Sequence, residues 1–146
     1  MNPQELYKAY VQISHTALNE EQFYTLLSFF PSLLVVAADG IIDEEEQVYI
    51  SYIAKSMAEN FLEDHQNISD VDTLKNLFLK DLEKLAQSIP VWEEKFLDAL
   101  KIYLKKHPEI KNDIIETMYL FSDASESSAD LEEALIEKLK MRLELE

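Results

Sequence analysis

Residues 33–46 read LLVVAADGIIDEEE, an apolar run followed at once by a glycine and a cluster of acids. The apolar run predicts a buried helix that ends near Ala38, because Gly40 can adopt the left-handed conformation that terminates helices. Asp43 and Glu46 have the spacing of a capping box, so a second helix is expected to begin at Asp43. The segment therefore predicts two helices joined by a short acidic turn.

A weaker copy of this pattern lies near the C-terminus, where residues 118–133 read MYLFSDASESSADLEE. Asp123 corresponds to Asp39 of the first copy, and Asp130 and Glu133 occupy the places of the two capping residues. The second turn is three residues longer than the first and rich in serine. Two copies of one hairpin predict an internally duplicated bundle with two acidic turns.

The rest of the chain has the apolar spacing of three and four residues that is typical of helices with one buried face. Seven helices are expected, which begin at Pro3, after Asn19, at Asp43, after Ser69, near Trp92, at Pro108 and near Asp130. The first buried stripe is Leu6, Tyr10, Ile13 and Ala17. Pro31 predicts a kink or a restart within the second helix. Residues 62–70 are mostly polar and predict a connection. Pro90 predicts the end of the fourth helix.

No stretch of the chain has the pattern of a strand, and no linker divides it. The sequence therefore predicts an all-α fold, a single compact bundle of about seven helices that forms one domain over residues 1–146.

Composition excludes several classes of protein. The 13 Lys and Arg against 29 Asp and Glu give a net charge of −16, which disfavours nucleic acid and anionic membrane surfaces as partners. Without cysteine there is no disulfide or thiolate metal site, and a single glycine excludes phosphate-binding glycine loops. The longest apolar stretch, residues 33–38, is too short to span a bilayer, and no leader is recognised. A cytoplasmic protein is expected.

Residues 38–46 resemble the A-D-G-x-[IV]-x-x-x-E signature of the tellurite-resistance TerB-like family. The resemblance implies an all-helical fold with two such hairpins, a role in resistance to chemical stress, divalent-metal binding by the acidic turns, and no enzymatic reaction. Ala124 stands where the second signature would have glycine, and residues 60–75 form a longer connection between the repeats. These departures indicate a divergent member.

The acidic turns can also be assessed as a metal site from their residues alone. Residues 39–46 match the second half of an EF-hand loop, but Val35 and Ala37 lack side-chain oxygens at the first two ligand positions, which excludes an EF-hand. A simpler oxygen-ligand site for Ca²⁺, Mg²⁺ or Mn²⁺ remains a hypothesis. Its candidate ligands are Asp39, Asp43, Glu46, Asp123, Asp130 and Glu133. The alternative is that these acids only cap helices and solvate the turns.

Other candidate sites have less support. The histidines, His15, His65 and His107, lack the spacing of a di-iron or zinc site and are expected at the surface or its boundary. Most aromatic residues fall on the apolar stripes, which predicts that their side chains lie in the hydrophobic core. Residues 1–73 carry two Lys and thirteen acids, so this half could present an acidic face to a basic protein partner or could simply maintain solubility.

Together these observations predict a non-enzymatic acidic helical module that mediates an interaction or senses metal, and the resemblance implies that its role is stress-related. Two alternatives remain open. One is a carboxylate–metal enzyme with a cation between the two hairpins, and the other is a metal-free scaffold that binds another protein.

Overall fold

In a computed structural model of the protein, residues 1–37, 44–64, 70–124 and 129–145 are described, without the side chains at 45, 64, 123, 124 and 129–131. These ranges contain seven α-helices and one short 3-10 helix, and no strand. The α-helices are α1 (Pro3–Ser14), α2 (Glu20–Val36), α3 (Glu44–Asp64), α4 (Val71–Ala86), α5 (Ile89–Lys106), α6 (Lys111–Ala124) and α7 (Ala129–Leu143), and the 3-10 helix is Pro108–Ile110. The predicted all-α class is confirmed.

Two helices begin with the capping boxes that the sequence predicts. The Asn2 side chain accepts a hydrogen bond from the Glu5 amide at 2.8 Å, and the Glu5 carboxylate accepts one from the Asn2 amide at 3.0 Å. Asn19 and Gln22 form the same reciprocal pair at the start of α2, at 2.8 and 2.9 Å. Each box satisfies amides that have no partner within the helix.

The buried apolar side chains of all seven α-helices belong to one core cluster. Aromatic rings lie at the centre, where Phe96 of α5 contacts Tyr10 of α1 and both Phe23 and Phe30 of α2 at centroid distances of 4.6 to 5.8 Å. Trp92 lies one turn from Phe96 and also contacts Tyr10. None of the helices among the described residues is long and apolar enough to cross a membrane.

A buried carboxylate joins α4 to α1. Asp81 is only 2% exposed, and its two oxygens accept hydrogen bonds from the Tyr10 hydroxyl at 2.7 Å and the Thr16 hydroxyl at 3.0 Å. One turn further along α4, the Lys84 ammonium donates to the Ser14 carbonyl at the end of α1. These contacts fix the end of α1 and the following turn against α4.

The predicted stripe of α1 is wrong in its second half. Ile13 is 60% exposed and Ala17 is also exposed, whereas Leu18 is buried at 2%. At Ala17 and Leu18 the reason is that α1 has ended at Ser14, after which His15 takes a left-handed conformation with φ of 54°. The helical period stops there, so the apolar residue that reaches the core is shifted by one position.

Three further boundaries differ from the prediction, namely the N-cap of α4, the role of Pro90 and the length of the 62–70 connection. Of the kink or restart predicted at Pro31, the restart does not occur, since α2 continues through Pro31. Asp70, not Ser69, is the N-cap of α4, because its carboxylate accepts from the Thr73 amide at 2.7 Å, a bond that lowers the pKa of Asp70. Pro90 lies in the first turn of α5 and does not end α4, since the first-turn position of a helix needs no amide donor. The connection predicted at 62–70 is shorter, because α3 extends to Asp64.

Buried positions recur between the two parts of the chain and support the predicted duplication. The buried residues Leu6 and Tyr10 of α1 correspond to the buried residues Trp92 and Phe96 of α5, each 86 positions later in the chain. The same offset relates buried residues of α3 to those of α7, namely Ile50 to Ile136, Ile53 to Leu139 and Met57 to Leu143. The equivalent helices α1 and α5 contact each other, as do α2 and α6.

Candidate functional site

Of the six acids predicted to bind metal, two have described side chains. Asp39 and Asp43 lie outside the described residues. Asp123 lies in the last turn of α6 and Asp130 is the second residue of α7, and the side chains of both also lie outside the description. Because α7 begins at Ala129, Asp130 falls inside its first turn and is not the N-cap that the repeat predicted. A site shared between the two turns stays a prediction.

The two described acids, Glu46 and Glu133, differ in environment. Glu46, the third residue of α3, is 2% exposed, so its carboxylate does not lie in solvent as the alternative to metal binding would require. Glu133 is exposed on α7. The buried acid of the second hairpin is Glu132, also 2% exposed, whose carboxylate accepts a hydrogen bond from the Ser122 hydroxyl at 3.1 Å.

The repeat alignment is corrected by this burial. The offset of 86 that relates the apolar residues of α3 and α7 pairs Glu46 with Glu132, not with Glu133. With Asp123 still opposite Asp39, the second turn is two residues longer than the first, not three. Within the described ranges, no group of three or more His, Asp or Glu side chains is placed to hold a metal ion.

A different polar site lies between α2, α5 and α6, and we call it the acidic cavity. It is open to solvent on one side, has a volume of about 260 Å³, and is lined by Glu21, Tyr24 and Ser28 of α2, Tyr103 of α5, and Asp113 and Thr117 of α6, with Asn60 of α3 among others. The described side chains that line it include no Lys, Arg or His. Part of its lining is apolar, since Ile114 of α6 and Phe29 of α2 also line it.

Three aromatic rings lie in a row beside the acidic cavity, and two of them, Tyr24 and Tyr103, line it. The rings of Tyr24 and Tyr103 are 5.4 Å apart, and Tyr103 stacks on His107 at 4.3 Å with an interplanar angle of 26°. On the far side of the two tyrosines lies a second cavity of about 380 Å³, lined by Lys106, His107 and residues at the start of α1. The tyrosine pair thus separates an acidic cavity from one with basic side chains.

Three hydroxyl groups of the acidic cavity are oriented by bonds to their own helices. Ser28 donates to the Tyr24 carbonyl at 3.0 Å, and Thr117 donates to the Asp113 carbonyl at 2.7 Å. The Tyr24 hydroxyl donates to the Glu20 carboxylate. Each of these three oxygens has used its only proton, so what it can offer a ligand is a lone pair.

Both tyrosines remain neutral phenols well above neutral pH. Burial raises the pKa of Tyr24, and the hydrogen bond to Glu20 raises it further. Burial also raises the pKa of Tyr103, with the charge of Glu109 adding to the effect. The negative charge of the acidic cavity therefore comes from its carboxylates, Glu21 and Asp113.

Sequence reasoning missed this site because it placed the aromatics in the core. A signal was present, since Glu21, Thr25 and Ser28 recur at intervals of four and three residues and so form a polar stripe beside the apolar face of α2. Asp113 and Thr117 have the same helical spacing on α6. Only the packing of α2 against α6 shows that the two stripes face one cavity.

Comparison of the chain with protein-family models, with curated proteins and with solved structures found no match.

Proposed function

We propose that the protein is a non-enzymatic, acidic helical module that binds a basic segment of a partner protein. The observation that carries this proposal is the acidic cavity, which combines two carboxylates, an aromatic pair and no basic side chain among its described lining residues. Such a lining is complementary to a cation. The net charge of −16 would add long-range attraction and so increase the rate of association with a basic partner.

The test is calorimetric titration with synthetic peptides of equal length, one rich in Lys and Arg and one in which Glu replaces every basic residue. We expect saturable one-to-one binding of the basic peptide, weaker as salt screens the charges, and no binding of the acidic peptide. Absence of saturable binding by the basic peptide at low salt would contradict the proposed function.

A second candidate function, metal sensing by the acidic turns, follows from the TerB-like resemblance. One observation favours it, namely that Glu46 and Glu132 are buried at equivalent positions, each near the start of the helix that follows an acidic turn. Carboxylate oxygens would select Ca²⁺, Mg²⁺ or Mn²⁺. In this form the module would respond to chemical stress through cation binding.

This candidate is tested by titrating each cation into chelator-treated protein. We expect binding below millimolar concentration that Asp39→Ala abolishes and that Glu116→Ala, a change of one exposed acid on α6, leaves intact. Equal binding by both variants, or none below millimolar concentration, would exclude the metal site.

A further inference from the structure

We infer that the acidic cavity receives an arginine side chain of the partner's basic segment, with the guanidinium stacked on the tyrosine pair and bonded by Glu21 and Asp113. This inference rests on the proposed function and goes further, since it assigns one pocket and one side-chain chemistry to the interaction. The argument uses the size of the cavity, its hydrogen-bonding character, its aromatic wall and its charge.

The size of the cavity suits one long side chain. At about 260 Å³ it is smaller than the roughly 300–1,000 Å³ of pockets that hold drug-sized molecules. Its lining includes the buried Ile114, against which the methylene stem of a long side chain can pack. Glu21 and Asp113 are exposed side chains, so a ligand can reach them directly from solvent.

Five hydrogen-bonding groups of the cavity act as acceptors toward a ligand. The Ser28, Thr117 and Tyr24 hydroxyls donate within the protein, so their oxygens can act only as acceptors toward a ligand. The two carboxylates are acceptors as well, while Thr25, Asn60 and Tyr103 of the lining also carry donors. A guanidinium group carries five N–H donors and no acceptor, which matches the five acceptors.

The aromatic wall distinguishes arginine from lysine. A planar guanidinium stacks on a tyrosine ring while its edge still donates to carboxylates, whereas an ammonium is a strongly hydrated point charge with three donors. Tyr24 and Tyr103 are both half-buried and in contact, so their ring positions are fixed before a ligand arrives. Arginine is therefore the basic residue that uses both the ring faces and the acceptors.

Lys106 and His107 limit what lies next to this arginine. They line the adjoining cavity beyond the tyrosine pair, where a second basic residue of the partner would meet like charge. The bound segment should thus place one arginine in the acidic cavity and a neutral or acidic residue on the far side of the tyrosines.

The experiment uses the full chain and three peptides that differ only in one central residue, which is arginine, lysine or the uncharged analogue citrulline. All other residues of the peptides are uncharged. Backbone amide chemical shifts of the protein locate the binding site and give the affinity. We expect the arginine peptide to shift the amides of Tyr24, Tyr103 and Thr117, the lysine peptide to bind more weakly, and the citrulline peptide not to bind.

Variants test the assigned carboxylates. Asp113→Asn should weaken binding of the arginine peptide about tenfold or more, because charged hydrogen bonds contribute that much to an equilibrium. Glu116→Gln makes the same change of net charge on an exposed acid of α6 outside the cavity and should have little effect. Glu21→Gln provides a second carboxylate variant on a different helix.

Failure of this inference differs from failure of the proposed function. If the Lys- and Arg-rich peptide binds but amide shifts map elsewhere, or if Asp113→Asn and Glu116→Gln behave alike, the cavity is overturned as the site and the interaction module stands. Equal binding of the citrulline and arginine peptides would overturn arginine recognition. If no basic peptide binds, the proposed function fails first.

Discussion

At the scale of single residues, Asp81 shows how a buried charge is accommodated. A carboxylate inside a protein is costly unless hydrogen bonds replace its water, and here the Tyr10 and Thr16 hydroxyls supply them. Its partners lie 65 and 71 positions away in the chain. For that reason the sequence could not predict the contact, although it placed Tyr10 correctly in the core.

Replacing the Tyr10 hydroxyl should destabilise the protein clearly. We expect Tyr10→Phe to lower the free energy of unfolding by about 1.5–3 kcal/mol, the range for a hydrogen bond to a charged group. Tyr7→Phe is the matched control, since the Tyr7 hydroxyl donates to the neutral Leu18 carbonyl at 2.9 Å and its loss should cost only about 0.5–1.5 kcal/mol. Urea unfolding of both variants provides the measurement, and equal losses would contradict the role of Asp81.

The unmodified protein and the Tyr10→Phe variant should differ in how their stability changes at alkaline pH. Burial, followed by the charge of Asp81, raises the pKa of Tyr10 above its ordinary value of 10.0. The unfolded chain therefore loses this proton first, so stability is complete below pH 10 and falls as pH rises above it. Tyr24 and Tyr103 are present in both proteins. Hence Tyr10→Phe should show a shallower loss of stability above pH 10, and parallel curves would be inconsistent with the buried phenol.

At the scale of helices, the two capping boxes predicted helix starts that the structure confirms. The boxes at Asn2 and Asn19 involve residues three apart, so the sequence contains all of their geometry. The end of α1 has no comparable signal, because His15 adopts the left-handed conformation that usually indicates glycine. At α4 two adjacent residues, Ser69 and Asp70, have side chains that can cap a helix, so the sequence alone does not decide between them, and the N-cap is Asp70.

The box at α2 is expected to stabilise the whole fold, since α2 contacts most of the other helices. Asn19→Ala should lower the free energy of unfolding by about 1 kcal/mol, within a range of roughly 0.5–2 kcal/mol. Asn19→Ser, which keeps a side-chain acceptor, should retain most of the stability. Thermal unfolding followed by circular dichroism distinguishes the two, and a neutral Asn19→Ala would show that the cap contributes nothing.

At the scale of the whole molecule, the acidic cavity depends on the order in which helices pack. Glu21 and Asp113 are about ninety positions apart, and they face one cavity only because α2 lies against α6. Amphipathic patterns predict which face of each helix is buried, but not which helices become neighbours. The fold class was therefore predictable from the sequence, and this candidate site was not.

Phe96 is the residue through which the packing is best tested. Its ring contacts Tyr10, Phe23, Phe30 and Trp92, so Phe96→Ala should lower the free energy of unfolding by about 3–5 kcal/mol. Val91→Ala, on the same helix but 57% exposed, should change it by no more than about 0.5 kcal/mol. Urea unfolding compares them, and a loss below about 1 kcal/mol at Phe96 would contradict this core.

The single tryptophan gives the molecule an optical reporter at its centre. Trp92 is 3% exposed and 5.2 Å from the ring of Tyr10, within easy range for excitation energy to pass from tyrosine to indole. Because no other tryptophan contributes, its emission wavelength reports the hydration of one place, where α1 and α5 meet. Fluorescence thus follows the contact between α1 and α5 without an added label.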